Sequence, residues 1–285
     1  MDTSQLELVA KNQELFFCWI KERESIRQKK EAGLPKPWTT DPILQNYKFC
    51  NVRREDDTVT RWIKNNWRDP CRGHPNMWFA MVVARLFNWP PTLDLIGFPL
   101  SDFNDIKEEW RSKLKIYREQ GNKVFTGAYL VSTNGVSMDK IDYILDRVLT
   151  PIWERGYAPT EGDTLEDYWK YLTQFDGLGS FMAGQVVADL KYVDPVLSNA
   201  PDWWTFAPLG PGSIRGLNRF HGRPKEKSLR QTQGSKEIEE IREHIRILLD
   251  LELPAHDVQN CLCESDKYIR LLRGEGSVRA GYKGT

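Results

Sequence analysis

The chain has 285 residues, with 40 Lys+Arg against 40 Asp+Glu, and 40% hydrophobic and 12% aromatic side chains. That apolar content supplies a large core, or two lobes sharing one, and excludes global disorder. Zero net charge excludes nucleic-acid binding through the field of the whole molecule, so any such contact rests on a local basic surface.

No window approaches ~18 uninterrupted apolar residues, and Met1 to Gln5 lack the basic-then-apolar order of a signal peptide. A cytoplasmic protein with no membrane partner is expected. Cys18, Cys50, Cys71, Cys261 and Cys263 have no framework spacing, and His74, His221, His244 and His256 lie far apart. Neither a disulfide scaffold, a metal nor a cofactor is expected from them. Eleven tryptophans supply rings for core packing or for stacking on bases.

Along the chain, residues 4–32 carry Leu6, Leu8, Val9, Phe16, Phe17, Trp19, Ile20 and Ile26 among polar residues, a long amphipathic helix ended by Gly33, Pro35 and Pro37. Thr40 or Asp41 caps a short helix through Ile43 and Leu44; Asp56, Asp57 or Thr58 starts another with Val59, Trp62 and Ile63 on one face. Pro75 to Phe87 is apolar nearly all round, hence a buried helix, stopping at Pro90 and Pro91. Charged amphipathic helices follow from Ser101 or Asp102 to about Gly121 and from Asp139 to Trp153. Val124 to Val131 alone alternates like a strand. Thr164 caps a helix to Tyr171, Ser235 to Leu251 repeats the amphipathic pattern, and His256 to Leu272 forms the last helix. Residues 207–235, rich in Gly, Pro and basic side chains, are the exception to this helical pattern. The predicted fold class is all-α.

Two segments invite chemistry. Between Arg215 and Arg230 stand Arg215, Arg219, Arg223, Lys225, Lys227 and Arg230 against Glu226 alone, either a phosphate-contacting loop or a solvated one. In Phe175-Asp176-Gly177-Leu178-Gly179-Ser180-Phe181-Met182-Ala183, a Gly-x-Gly turn joins two helices. Its backbone N–H groups and the following helix N-terminus suit an anion, although a tight turn that merely packs two helices has the same sequence.

That segment resembles the helix-hairpin-helix of DNA-repair glycosylases, in which the turn grips a DNA phosphate. The resemblance implies strand contacts at Gly177, Gly179 and Ser180, aided by Arg219 and Arg223, and a catalytic aspartate downstream, here Asp202 before Trp203 and Trp204. No lysine follows the turn, so Schiff-base lyase chemistry is not expected. Asp202 is also placed to cap a helix.

Further strings occur in one order: Lys48-Phe49-Cys50-Asn51-Val52-Arg53-Arg54-Glu55-Asp56-Asp57, Phe125-Thr126-Gly127-Ala128-Tyr129, the hairpin, Leu209-Gly210-Pro211-Gly212-Ser213-Ile214-Arg215-Gly216-Leu217-Asn218, and Leu262-Cys263-Glu264-Ser265-Asp266-Lys267-Tyr268. Together they are similar to the phage thymine-hypermodification family, which includes α-glutamyl/putrescinyl-thymine pyrophosphorylases, the 5-hydroxymethyluracil DNA kinase helical domain and amino acid:DNA transferases. The resemblance implies a glycosylase-like fold of two helical lobes with a cleft between them, one catalytic unit over residues 1–285. Residues 1–40 would form an N-terminal helix and linker, and 41–285 a core with its hairpin at 175–184.

The implied partners are DNA containing phosphorylated 5-hydroxymethyluracil and an amino acid or polyamine co-substrate, in the cytoplasm of an infected bacterium. The implied reaction replaces the (pyro)phosphate of a flipped-out base. Asp202 would take the amine's proton, while Arg54 and Arg215, with the Gly210 to Gly216 backbone, would hold the leaving anion. Asn51, Asp57, Trp203, Asn218, Glu264 and Lys267 would bind substrate. Asn51, Arg54 and Asp57 equally suit a helix-start network, and Glu264 with Lys267 a surface pair. The chain has no G-x-x-x-x-G-K-[ST], so phosphoryl transfer from ATP by these residues is not expected. The alternatives are a hairpin glycosylase and a non-catalytic reader of modified DNA.

Overall fold

The computed structural model describes residues 3–127, 131–133, 135–194 and 197–275. Helix α1 (Thr3–Glu31) buries Phe16, Trp19, Ile20 and Ile26, whereas Leu6 and Leu8 at its start stay exposed. Asp41 accepts the Ile43 and Leu44 N–H groups and so starts α2 (Pro42–Asn46). A 3-10 turn, Arg54–Asp56, precedes α3 (Thr58–Ile63), which runs on as a π-helical turn, Lys64–Arg68.

Every residue of α4 (Met77–Phe87) is buried. It ends at a left-handed Asn88, φ 45°, rather than at the prolines. Pro90 and Pro91 instead open a further helix, α5 (Pro90–Ile96), because the fixed φ of proline is already helical and its missing N–H is not needed in a first turn. Helix α6 (Phe103–Glu119) is capped by Asp102; α7 (Lys140–Asp142) leads through π-helical Tyr143–Leu149 into α8 (Thr150–Arg155). Helices α9 (Leu165–Leu172), α10 (Ser180–Leu190), α11 (Pro211–Phe220), α12 (Gln231–Leu249) and α13 (Ala255–Leu272) complete the fold.

The fold is all-α: no strand occurs among the described residues. Residues 124–127, expected to alternate as a strand, are irregular, while Ala128 to Leu130 lie outside the described residues. The expectation of a loop over 207–235 is corrected by α11, whose apolar Ile214, Leu217 and Phe220 recur at helical spacing inside a glycine- and arginine-rich sequence. No helix among the described residues is long and apolar enough to cross a membrane.

The chain divides into two compact units, one of Met1–Asp57 with Trp204–Thr285, the other of Thr58–Trp203. Helix α1 thus shares a unit with the C-terminal helices. In the first unit, Phe16, Trp19 and Ile20 of α1 join Leu217 and Phe220 of α11, Ile238, Ile241 and Ile245 of α12, and Val258 and Leu262 of α13 in one core. Helix α11 lies close on α13 because a Cβ on Gly212 would stand 2.3 Å from Cys263 Sγ, and one on Gly216 2.3 Å from the Leu262 carbonyl.

In the second unit α4 packs on α10, and their shared interior holds an ion pair. Arg85 Nη2 meets Asp189 Oδ1 at 2.6 Å and also donates to Thr60 Oγ1, while Nη1 donates to Asn88. With every charge hydrogen-bonded, the pair is tolerated in a nearly water-free site.

Candidate phosphate site and hairpin turn

Residues 48–57 run against α13 through a continuous set of hydrogen bonds. Cys50 N–H donates to Glu264 Oε2 (3.0 Å), Arg54 N–H to Asp257 Oδ1 (3.1 Å), and Asn260 Nδ2 to the Asn51 carbonyl (3.3 Å). Asn51 is held within the segment: its N–H donates to Asp57 Oδ1, its Nδ2 to the Asp56 carbonyl, and its Oδ1 accepts from Arg23 Nη2, each at 2.8 Å. Lys267 Nζ lies 2.8 Å from Glu264 Oε2 and 4.4 Å from the Phe49 ring centre.

The Cys50 thiol reports the result electrostatically. Desolvation pushes it well above the usual thiol value, the negative charges of Glu264 and Asp57 add to this, and Lys267 and Arg54 oppose it. Five predicted site residues, Asn51, Arg54, Asp57, Glu264 and Lys267, therefore gather around one segment. Asn51 and Asp57 do so as the turn network that the alternative anticipated.

Arg54 is different. Its side chain is 8% exposed, and its guanidinium makes no hydrogen bond or ion pair among the described residues. An arginine is always charged, and on a residue this little exposed a guanidinium with no partner among the described residues retains donors for another group. Such a group is the natural counterpart of an anion that the chain itself does not provide. Glu264, 9% exposed, gives only Oε2 to neighbours; Oε1 makes no hydrogen bond among the described residues.

The α11 string does something else than expected. The Gly210 N–H donates to Ser213 Oγ and the Leu209 N–H to Gln231 Oε1, while Gly212 and Gly216 serve helix packing. The Leu209 and Gly210 N–H groups are thus already engaged. Asn218, fully buried, pins the following loop by donating to the Lys225 and Lys227 carbonyls. Arg219 is 5% exposed and bonded to Asp266 and Glu275, and both Nη groups of Arg223 donate to Glu237. These two arginines organise the loop, and the basic run in the sequence is largely balanced by acids distant in sequence. Arg215 gives one N–H to Asp266 Oδ2 (2.9 Å) and is 37% exposed at its side chain.

In the second unit the Gly-x-Gly turn does lie between paired helices, α9 and α10. Gly177 requires glycine: φ is +81° and a Cβ would stand 2.8 Å from Val148 Cγ2. Leu178 is fully buried and anchors the turn. Gly179 is the N-cap of α10, with no side chain capping the helix and open space where a Cβ would be. It and Ser180 are exposed, so the positive end of α10 faces solvent.

Asp202 is not a free carboxylate. Its Oδ1 accepts the Leu165 N–H (2.7 Å) and its Oδ2 the Glu166 N–H (3.0 Å), so it caps α9 across 37 and 36 residues of sequence alongside Thr164. Trp203 is similarly engaged: its Nε1 donates to the Lys191 carbonyl (2.6 Å), and Lys191 Nζ sits 3.7 Å from the ring centre. Lys191, a buried lysine that stands in no recognisable motif, donates to the Trp203 carbonyl in return. The predicted proton acceptor and stacking wall thus fix the chain flanking the hairpin.

The model of the family described as 5-hmdU DNA kinase, helical domain, matches residues 10–277. The chain belongs to that family. A protein named 5-hmdU DNA kinase from Bacillus phage SP10 is 29% identical over 227 residues, covering 72% of this chain and 35% of the relative. The chain therefore spans about a third of that relative's length. No solved structure matches it. The matched span includes the strings at residues 48–57, 209–218 and 262–268.

Proposed function

We propose that the chain acts on 5-hydroxymethyluracil in DNA once that base has been phosphorylated. An amine or amino acid attacks the exocyclic carbon, a C–N bond replaces the C–O bond, and (pyro)phosphate departs. The observation that supports this reading is Arg54, a largely buried residue whose guanidinium has no partner among the described residues. It suits the oxygens of a phosphate better than a neutral hydroxymethyl group, and gains strength as negative charge builds on the departing group. Arg215 remains a second candidate for that anion. Because Asp202 is occupied, Glu264 with its open Oε1 is the better-placed acceptor for the amine's proton. The exposed N-terminus of α10 at Gly179 suits one phosphate of the strand, as in a hairpin that positions DNA without reading it.

The test is to incubate the protein with DNA carrying 5-phosphomethyl or 5-pyrophosphomethyl uracil and a panel of amines, then digest to nucleosides for mass spectrometry. An amine adduct lost in Arg54→Met is expected; recovery of unchanged base with every amine ends this reading, and free base in its place indicates a glycosylase. A second reading is favoured by the name and length of the phage relative: the chain is the DNA-holding part of a kinase whose nucleotide-binding residues are elsewhere. It calls for equal affinity for phosphorylated and unphosphorylated 5-hydroxymethyluracil DNA.

A further inference from the structure

A cavity of about 600 Å³ in the first unit is lined by Arg215, Arg219, Lys225 and Arg270 against Glu226 and Glu275. Glu275 is at the centre of the cations. Its Oε2 accepts from Arg219 Nη2 (2.6 Å) and Lys225 Nζ (2.8 Å), its Oε1 from Arg219 Nη1 (3.4 Å), and its carbonyl from Arg270 Nε (3.3 Å). These partners hold its carboxyl far below the ordinary glutamate range, at about 2.

Placement is set by the end of α13. Gly274, at φ +65°, reverses the chain, and the Glu275 N–H closes on the Arg270 carbonyl at 2.8 Å, the glycine-terminated helix end that fixes the residue beyond it. Beneath, buried Asp266 orients Arg215 and Arg219 through their Nε groups. The Nη groups of Arg215 make no hydrogen bond among the described residues, so the cluster still has donors after Glu275 is seated. One carboxylate has two oxygens; this cavity offers donors from three or more side chains and space beside them, the requirements of a phosphate.

We propose that this cavity is a binding site for a phosphate oxyanion, and that Glu275 is its built-in place-holder, displaced when the ligand enters. Seating Glu275 keeps the arginines paired when the site is empty and reduces apparent affinity by the fraction of molecules in which it is seated. The phosphate comes either from a released (pyro)phosphate or from a DNA strand. The proposal concerns binding alone and does not depend on the reaction described above.

Titration calorimetry of the whole chain with inorganic pyrophosphate, and separately with an unmodified DNA duplex, tests it in wild type and in Glu275→Gln. The variant keeps the shape of the residue, and an unfolding curve shows that it is folded. Glu275→Gln is expected to bind at least tenfold tighter to one of the two probes, and the gain should vanish when Lys225→Ala and Arg270→Ala are added. A response to pyrophosphate identifies a released phosphate as the ligand; a response confined to the duplex identifies the strand. Unchanged or weaker binding of both probes by folded Glu275→Gln overturns the proposal, as does a gain that survives loss of Lys225 and Arg270.

Discussion

Arg54→Met should make the unliganded protein more stable while removing its ability to hold phosphorylated DNA. Residue Arg54 is 8% exposed and its guanidinium has no hydrogen-bonded partner among the described residues, so wild type carries a partial desolvation cost that no described neighbour offsets by direct contact. The nearby acids Asp57 and Glu264, which with Arg54 bear on the Cys50 thiol, recover part of it through space. Methionine keeps most of the aliphatic stem and its packing. Against a penalty of several kcal/mol per buried ion, partly recovered, the expected gain is about 1–2 kcal/mol. At roughly 2–4 °C per kcal/mol for a chain of this size class, that is a measurable rise in melting temperature. Urea titration followed by tryptophan fluorescence gives the free energy, and competition binding gives the affinity for phosphorylated against unphosphorylated 5-hydroxymethyluracil DNA. Loss of hydrogen bonds to a charged partner should weaken the phosphorylated ligand by about 10- to 150-fold and leave the other nearly unchanged. A variant less stable than wild type by ~1 kcal/mol or more, or one with undiminished preference for the phosphorylated base, refutes the assignment.

Other residues give sharper structural expectations. Asp202→Asn retains one acceptor but turns N–H donors toward a backbone N–H of α9, so a loss of about 1–2 kcal/mol is expected; turnover abolished in a variant of undiminished stability would return Asp202 to chemistry. At the hairpin, Gly179→Ala should be neutral because its φ is ordinary and its Cβ position is open, whereas Gly179→Glu should weaken all DNA sequences alike; sequence-selective loss in a binding assay would contradict a phosphate contact. The Glu275 carboxyl is lowered from 4.5 to about 2 on folding by its hydrogen bonds to Arg219 and Lys225. Its contribution is therefore present above about pH 4.5 and fades as pH falls toward 2. Urea midpoints of wild type and Glu275→Gln should accordingly differ at pH 6 and converge near pH 2; a constant gap would rule the pairing out.

Helix positions were legible where a periodic apolar face coincided with a cap, as in α6 behind Asp102 and α9 behind Thr164. They were not legible where the same residue type has opposite uses. After an apolar run Pro90 has the signature of a stop, yet proline in a first turn starts a helix. Arg215, Arg219 and Arg223 read as a basic loop because Asp266, Glu275 and Glu237, which neutralise them, are 14 to 56 residues away. Asp202 shows the same limit: an acid close after a glycine turn has the sequence signature of a base, but only the fold reveals that two backbone N–H groups from α9 reach it first. Arg54, singled out on its string alone, is where sequence resemblance and a charge without a partner among the described residues coincide.

The two units accordingly hold different kinds of residue. The second contains the hairpin, with Gly177 forced by its backbone and Gly179 left exposed, and the acid beside it is committed to a helix end. The first contains Arg54 and Arg215, whose Nη groups make no hydrogen bond among the described residues. A hairpin that contacts one strand phosphate acts on every sequence and every base, whereas a buried guanidinium discriminates between a base that bears a phosphate and one that does not. On this division, changes at Gly179 shift the affinity for DNA as a whole, and changes at Arg54 shift only the difference between modified bases. If instead both properties moved together in either variant, positioning and recognition would not be the separate tasks that the distribution of these residues implies.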